Sequence, residues 1–126
     1  MRATFSILTL LLTWFPFPAL SDDSCKAAEN TGSYRAIAEC GHQEFLREER
    51  ELNKTYKELL LVLKDDSEKK KLLIDSQRGW LRYRNSSCQL NIPYNVSWCM
   101  SSVTTRRTTE LKEFFSCFTE GGASCQ

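Results

Sequence analysis

Gln77-Arg78-Gly79-Trp80-Leu81-Arg82-Tyr83-Arg84-Asn85-Ser86-Ser87-Cys88 is the stretch on which the fold of this chain turns. At about 100° per helical residue, Leu73, Gln77, Trp80, Arg84 and Cys88 fall within about 80° of one another, so one stripe holds a large indole beside an amide and a guanidinium. Burying either polar group unpaired is costly, so such a stripe needs partners. It predicts the middle helix of a small helical domain, with an inward polar network of Gln77, Trp80, Tyr83 and Arg84. That structural reading outweighs a functional role for Gln77 or Arg84, because satisfied internal networks are the usual fate of such groups.

The flanking segments read as helices built to pack on this one. Upstream, Tyr34, Ala38, Phe45, Leu52, Tyr56, Leu59 and Leu63 lie within about 40° of a single line, which predicts a long helix between residues 34 and 64. Gly41 lies inside the pattern and is a point at which that helix could divide, because glycine weakens a helix interior. Lys64-Asp65-Asp66-Ser67-Glu68 is a polar break in which Asp66 or Ser67 serves as N-cap for a second helix from about Glu68 to Cys88. So short a connection makes an antiparallel hairpin and lays Trp80 on the Leu52, Tyr56 and Leu59 stripe. Downstream, Gln89 to Ser97 holds Pro93 and several asparagines and reads as a loop. A third helix is expected after a Ser97 cap, with Met100, Val103, Arg107, Leu111, Phe114 and Phe118 on its apolar stripe and Gly121-Gly122 at its end. Arg107 is the second inward arginine and joins the network. The fold class is all-α: a small antiparallel bundle, a helical hairpin plus a third helix.

Ahead of the bundle, Ala3 to Leu20 has no charged residue, follows Arg2 and ends near the small residues Ala19 and Ser21. Residues 1–21 read as a secretory signal peptide cut before Asp22, since Pro16 and Pro18 leave the apolar run too short to span a bilayer. Residues 22–126 then form one domain, secreted or periplasmic, with no integral membrane span. Cys25, Cys40, Cys88, Cys99, Cys117 and Cys125 all lie in that part, and an even cysteine count in a small exported chain implies a disulfide framework that staples the bundle. Sequence neighbours suggest Cys25 with Cys40, Cys88 with Cys99 and Cys117 with Cys125, although spacing leaves the connectivity open.

Charge and chemistry narrow the function. The chain has 17 Lys and Arg against 16 Asp and Glu, and loss of Arg2 makes them equal. Such balance gives no support to nucleic-acid binding, which needs a clustered basic footprint. There is no Cys-x-x-Cys, and His42 is the only histidine, so no metal or other cofactor is expected, and any Ser/His or Cys/His catalytic arrangement would rest on one residue that suits the exposed helix face equally well. The charged face of the first helix, with Glu44, Glu48 and Glu51 among Arg47, Arg50 and Lys54, reads as a solvated surface and singles out no carboxylate pair for acid and base work. No catalytic residue is therefore assigned. Sequons at Asn53, Asn85 and Asn95 matter only in a glycosylating host.

In chain order, Cys25 and Cys40 precede Glu51-Leu52-Asn53-x-x-Tyr56-x-x-Leu59-Leu60. Gln77-Arg78-x-Trp80-Leu81-x-Tyr83-Arg84 with Cys88 follows, and then Cys99 with Thr104-x-x-Arg107-Thr108-x-Glu110-Leu111. This pattern resembles the lysozyme-inhibitor LprI-like N-terminal domain family, from about Cys25 to Leu111. Two features depart from it. Asn85 stands where the family has an acidic residue after the Tyr-Arg pair, which removes a salt bridge near Trp80, and the tail with Cys117 and Cys125 lies beyond the pattern. The resemblance implies a disulfide-stapled exported helical protein and, for the member that names the family, inhibition of a host lysozyme. A protein partner, a lysozyme, follows as the expectation, with cell-wall or glycan binding through exposed Tyr94 and Trp98, or a purely structural role, as the alternatives. For contact with a partner the candidates are the loop residues Asn91, Tyr94 and Asn95 and the acidic face of Glu44, Glu48 and Glu51.

Overall fold

A computed structural model describes residues 25–27 and 30–121. The expected signal peptide and Cys125 lie outside them. Three long helices are seen: α1 (Tyr34–Val62), α2 (Ser67–Cys88) and α3 (Val96–Glu120), with a short 3-10 turn, Pro93–Asn95, leading into α3. No strand occurs among the described residues.

Local chemistry sets the helix ends. Ser33 caps α1 by accepting from the Ala36 N–H, and Asp66 caps α2 by accepting from the Lys69 N–H at 3.0 Å. Helix α3 ends at Gly121, whose φ of 64° is left-handed backbone that favours glycine. Its start differs from the expected Ser97 cap. The 3-10 turn runs straight into the helix, Asn95 already has right-handed helical geometry, and Ser97 falls inside α3, so no extended residue is left there to cap from.

Side-chain pairs give the helix directions. Trp98 bonds Ile37, Thr105 bonds Glu48 and Lys112 pairs with Glu51, so α3 runs parallel to α1. Arg84 reaches Glu49 while Arg107 reaches Gln77, so α2 runs antiparallel to both. The closest backbone approach is between α1 and α3, and not within the α1–α2 hairpin. Small buried residues permit it, with Gly41 and Thr55 on α1 and Ser101, Thr104 and Thr108 on α3. The buried Thr55 and Thr108 hydroxyls donate to carbonyls four residues back, which satisfies them without a partner helix.

Gly41 does not divide α1, which is continuous through it. It serves the packing instead. A Cβ at this position would lie 2.7 Å from Trp98 Cδ1, so only glycine lets the indole lie flat on the helix. The Trp98 Nε1 then donates to the Ile37 carbonyl at 3.1 Å. Toward the other end, Leu52, Leu59, Leu63, Leu73 and Leu111 form the aliphatic core, with Tyr56, Leu60, Trp80 and Phe115 packed against it. Two disulfides, Cys25–Cys40 and Cys88–Cys99, span Cα separations of 5.5 and 5.6 Å and staple the end where α1 and α3 begin. The expected Cys117–Cys125 pair involves a residue beyond those described. Among the described residues no helix is long and apolar enough to cross a membrane.

Candidate functional site

The middle helix carries its two polar groups inward. Arg84 is 5% exposed, and its guanidinium carbon lies 5.0 Å from the Trp80 ring on its own helix and 5.0 Å from the Phe45 ring on α1. A cation between two aromatic faces is stabilised by both ring quadrupoles, and a flat guanidinium fits that slot where an ammonium does not. Its edge is hydrogen bonded around the rim: Nη1 donates to Glu49 Oε1 and to Thr104 Oγ1, both at 3.2 Å, and Nε donates to Asn85 Oδ1. One side chain thus ties α2 to α1 and α3. Asn85 accepts as a neutral amide, and the salt bridge its acidic counterpart would supply comes from Glu49 instead.

One to two turns away, Arg107 repeats the device from α3. Its Nε donates to Gln77 Oε1 at 3.1 Å, Nη2 to Ser76 Oγ at 2.8 Å and Nη1 to Glu110 Oε2 at 2.9 Å. Every buried side-chain nitrogen and oxygen among the described residues has a partner. Of the residues assigned to this network, Gln77, Trp80, Arg84 and Arg107 come together at the helix interfaces. Tyr83 does not: it is 58% exposed on the outer side of α2, one position from Arg84 and rotated away from the stripe. Phe45, on the expected stripe of α1, completes the site together with Glu49 and Thr104, which periodicity does not single out because their meeting with Arg84 depends on how three helices pack.

The loop between Cys88 and Cys99 is a short, ordered protrusion. Its backbone bonds itself through Asn91 N–H to Cys88 O at 3.1 Å and Asn95 N–H to Ile92 O at 2.8 Å, and the disulfide closes its base. Asn91 is exposed and Asn95 half-buried, while Tyr94 is half-buried against Tyr34, with ring centroids 4.9 Å apart. Tyr94 and Trp98 are therefore not the free aromatic platforms expected from the sequence; one rests on Tyr34 and the other on Gly41. The apolar exposure falls on their neighbours instead. Leu90 is 89% and Ile92 49% exposed at the loop tip, and Tyr34 is 66% exposed beside it.

The acidic face of α1 is engaged within the molecule. Glu44 and Glu48 both pair with Arg47, Glu48 also accepts from Thr105, and Glu51 pairs with Lys112 at 2.8 Å. The hydrogen bond and charge of Lys112 hold the Glu51 carboxyl below its ordinary range. His42 is exposed on α1. No group of three or more histidine, cysteine or acidic side chains suited to a metal ion occurs among the described residues.

At the far end, Leu59, Leu63, Leu72, Leu73, Phe114 and Phe118 line an open apolar groove of about 300 Å³ between the three helices. Phe114 and Phe118, expected on the inward stripe of α3, stand partly in solvent on its wall.

An uncharacterized protein of Rhizobium meliloti (strain 1021) is 30% identical over 134 aligned residues, covering 90% of this chain and 95% of its own length. The uncharacterized protein YecT of Escherichia coli (strain K12) is 29% identical over 126 residues, covering 82% of this chain and 78% of its own. No solved structure shows a significant match. The family described as lysozyme inhibitor LprI matches residues 25–111, a span that contains both stapling disulfides, both buried arginines and the loop between them. The chain belongs to the lysozyme inhibitor LprI family.

Proposed function

We propose that this protein binds a lysozyme and blocks it by protein contact, with no chemistry of its own. The observation that carries the reading is the family match from residue 25 to residue 111, which embraces the folded core. The fold supports it. Both buried arginines are consumed in helix–helix contacts, so the charged groups that would draw attention as catalytic serve the scaffold. A scaffold fixed by disulfides and buried polar ties loses little ordering entropy on binding, which favours an inhibitor. Residues 1–21 act in this reading as a cleavable export signal and the remainder as one domain working outside the cytoplasm, where the Cys25–Cys40 and Cys88–Cys99 bonds persist.

Bacterial lysis by animal-type, goose-type and invertebrate-type lysozymes, with the protein in about tenfold excess, tests the reading. Slowed lysis with at least one type is the expected result. Unchanged lysis in all three, from a sample shown by circular dichroism to be helical, overturns it. A parallel pull-down on peptidoglycan separates lysozyme inhibition from retention on the cell wall.

A further inference from the structure

From Asn85 to Thr105 the chain carries no charged residue, although charged residues make up 26% of the whole. The same holds from Asn30 to Tyr34. The fold brings these two uncharged segments together, because Tyr94 of the first stacks on Tyr34 of the second. Together they form an uncharged patch at one end of the bundle, bordered by the exposed Lys26 and Arg35 of the flanking chain, and its tip exposes Leu90 and Ile92. Depletion of charge with apolar and aromatic residues at the centre is the composition of an interface core, whereas a solvated connector on so charged a molecule would carry its share of lysine and glutamate.

We infer that this loop, with Leu90 at its tip and Tyr34 at its flank, is the surface that enters the substrate cleft of a lysozyme. The inference rests on the proposed inhibitory function and names the contact that performs it. Three features make the loop fit a cleft. It protrudes, since Leu90 is 89% exposed, and enzyme clefts are concave and largely apolar with a few polar groups. It is pre-formed, with the Cys88–Cys99 bond closing its base, Pro93 fixing the first position of the 3-10 turn and Tyr34 bracing Tyr94. Asn91, exposed between Leu90 and Ile92, offers an amide where a sugar's hydroxyl and acetamido groups would otherwise bond. The acidic face of α1, by contrast, already spends Glu44, Glu48 and Glu51 on Arg47, Thr105 and Lys112.

The test compares full-length mature protein, Leu90→Asp and the double variant Glu44→Gln/Glu51→Gln in the lysis assay, at low and at high sodium chloride. Leu90 is almost wholly exposed, so its replacement leaves the fold intact, which circular dichroism and melting confirm. The expected result is a loss of at least about tenfold in inhibitory potency for Leu90→Asp, as for the removal of an interface anchor. The glutamine double variant keeps wild-type potency, and wild-type potency changes less than about threefold with salt, because an uncharged contact is not screened. A folded Leu90→Asp that inhibits like wild type overturns the loop assignment and leaves the inhibitory function standing. So does a potency that collapses with salt or in the glutamine variant, which would move the contact to the acidic face. Wild-type protein that inhibits no lysozyme removes both readings together.

Discussion

The two halves of this bundle are held by different forces. In the half where α1 and α3 begin, the contacts are covalent or directional: two disulfides, an indole seated on a glycine, and an arginine between two rings with its edge hydrogen bonded. In the other half, beyond the Arg107 network at mid-bundle, a cluster of leucines closes the core, and the three helices part to leave a groove lined by Phe114 and Phe118. Aliphatic burial is non-directional and tolerates a range of arrangements, while a bonded guanidinium or a stapled loop admits one. The covalent and most of the directional ties thus lie beneath the uncharged loop, where a binding surface gains most from being fixed in advance.

The largest expected effect tests the directional half at its centre. Arg84→Ala removes a 5%-exposed side chain that three helices share and leaves Glu49 and Thr104 without their donor. It should destabilise by about 3 to 5 kcal/mol, as for one partner of a buried ion pair. Urea unfolding followed by circular dichroism measures it. A variant that melts like wild type and yet fails to inhibit would turn Arg84 from a structural tie into a binding residue. Next comes Cys88→Ala with Cys99→Ala, expected to lower stability by about 2 to 4 kcal/mol. Because the loop base opens, inhibition should fall by more than the folded fraction does.

A pair of glycines sharpens the contrast further, since the same substitution should change sign along the molecule. Gly41→Ala places a methyl 2.7 Å from a Trp98 ring that cannot swing aside without losing its bond to Ile37. The overpacking outweighs the better helix propensity, for a net loss of about 1 to 2 kcal/mol. Gly79→Ala on α2 meets nothing nearer than Arg82 Nη2 at 4.0 Å and should stabilise by about 0.5 to 1 kcal/mol. Paired thermal melts give both signs; a Gly41→Ala protein more stable than wild type would mean the two helices can separate without penalty.

What could be read from the sequence follows the same division. Helix extents, the Asp66 cap and the Gly121 stop are local features, fixed by residues within a turn or two of one another, and the two cysteine pairs join sequence neighbours 15 and 11 residues apart. The inward placement of Gln77, Arg84 and Arg107 was visible because helical period alone gives facing. Non-local meetings were not visible. Trp98 on Gly41, Glu49 and Thr104 on Arg84, and the parallel closeness of α1 and α3 depend on helix-on-helix register, which no single stripe encodes. Tyr83, Phe114 and Phe118 show the limit from the other side, since a large ring in an apolar pattern stays in solvent where no neighbouring helix closes over it. Tyr94 and Trp98 differ in the opposite sense: the sequence places one in a polar loop and the other at the start of the third helix, and the fold gives them Tyr34 and Gly41 to lie on.

The smallest effect belongs to the turn between α1 and α2, in the aliphatic half. Asp66 accepts from Lys69 twice, from its ammonium at 2.7 Å and its backbone N–H at 3.0 Å, and these bonds, the side-chain one foremost, hold its carboxyl below the ordinary 3.8. A carboxyl whose pKa is lower in the folded chain stabilises it above the unfolded value, and that contribution is lost as pH falls through the lowered folded value. Asp66→Asn keeps an amide oxygen to cap the helix but gives up the charge. Wild type should therefore melt slightly higher than Asp66→Asn at neutral pH, and the two should converge as acid protonates Asp66. The gap should also narrow in salt, because the pair is exposed. Taking the difference between the two proteins cancels the other depressed carboxyls, Glu51 and Asp75, which titrate in both. A gap that persists unchanged at low pH would assign the stabilisation to cap geometry alone. It would also show that even in this half one residue's shape matters more than its charge.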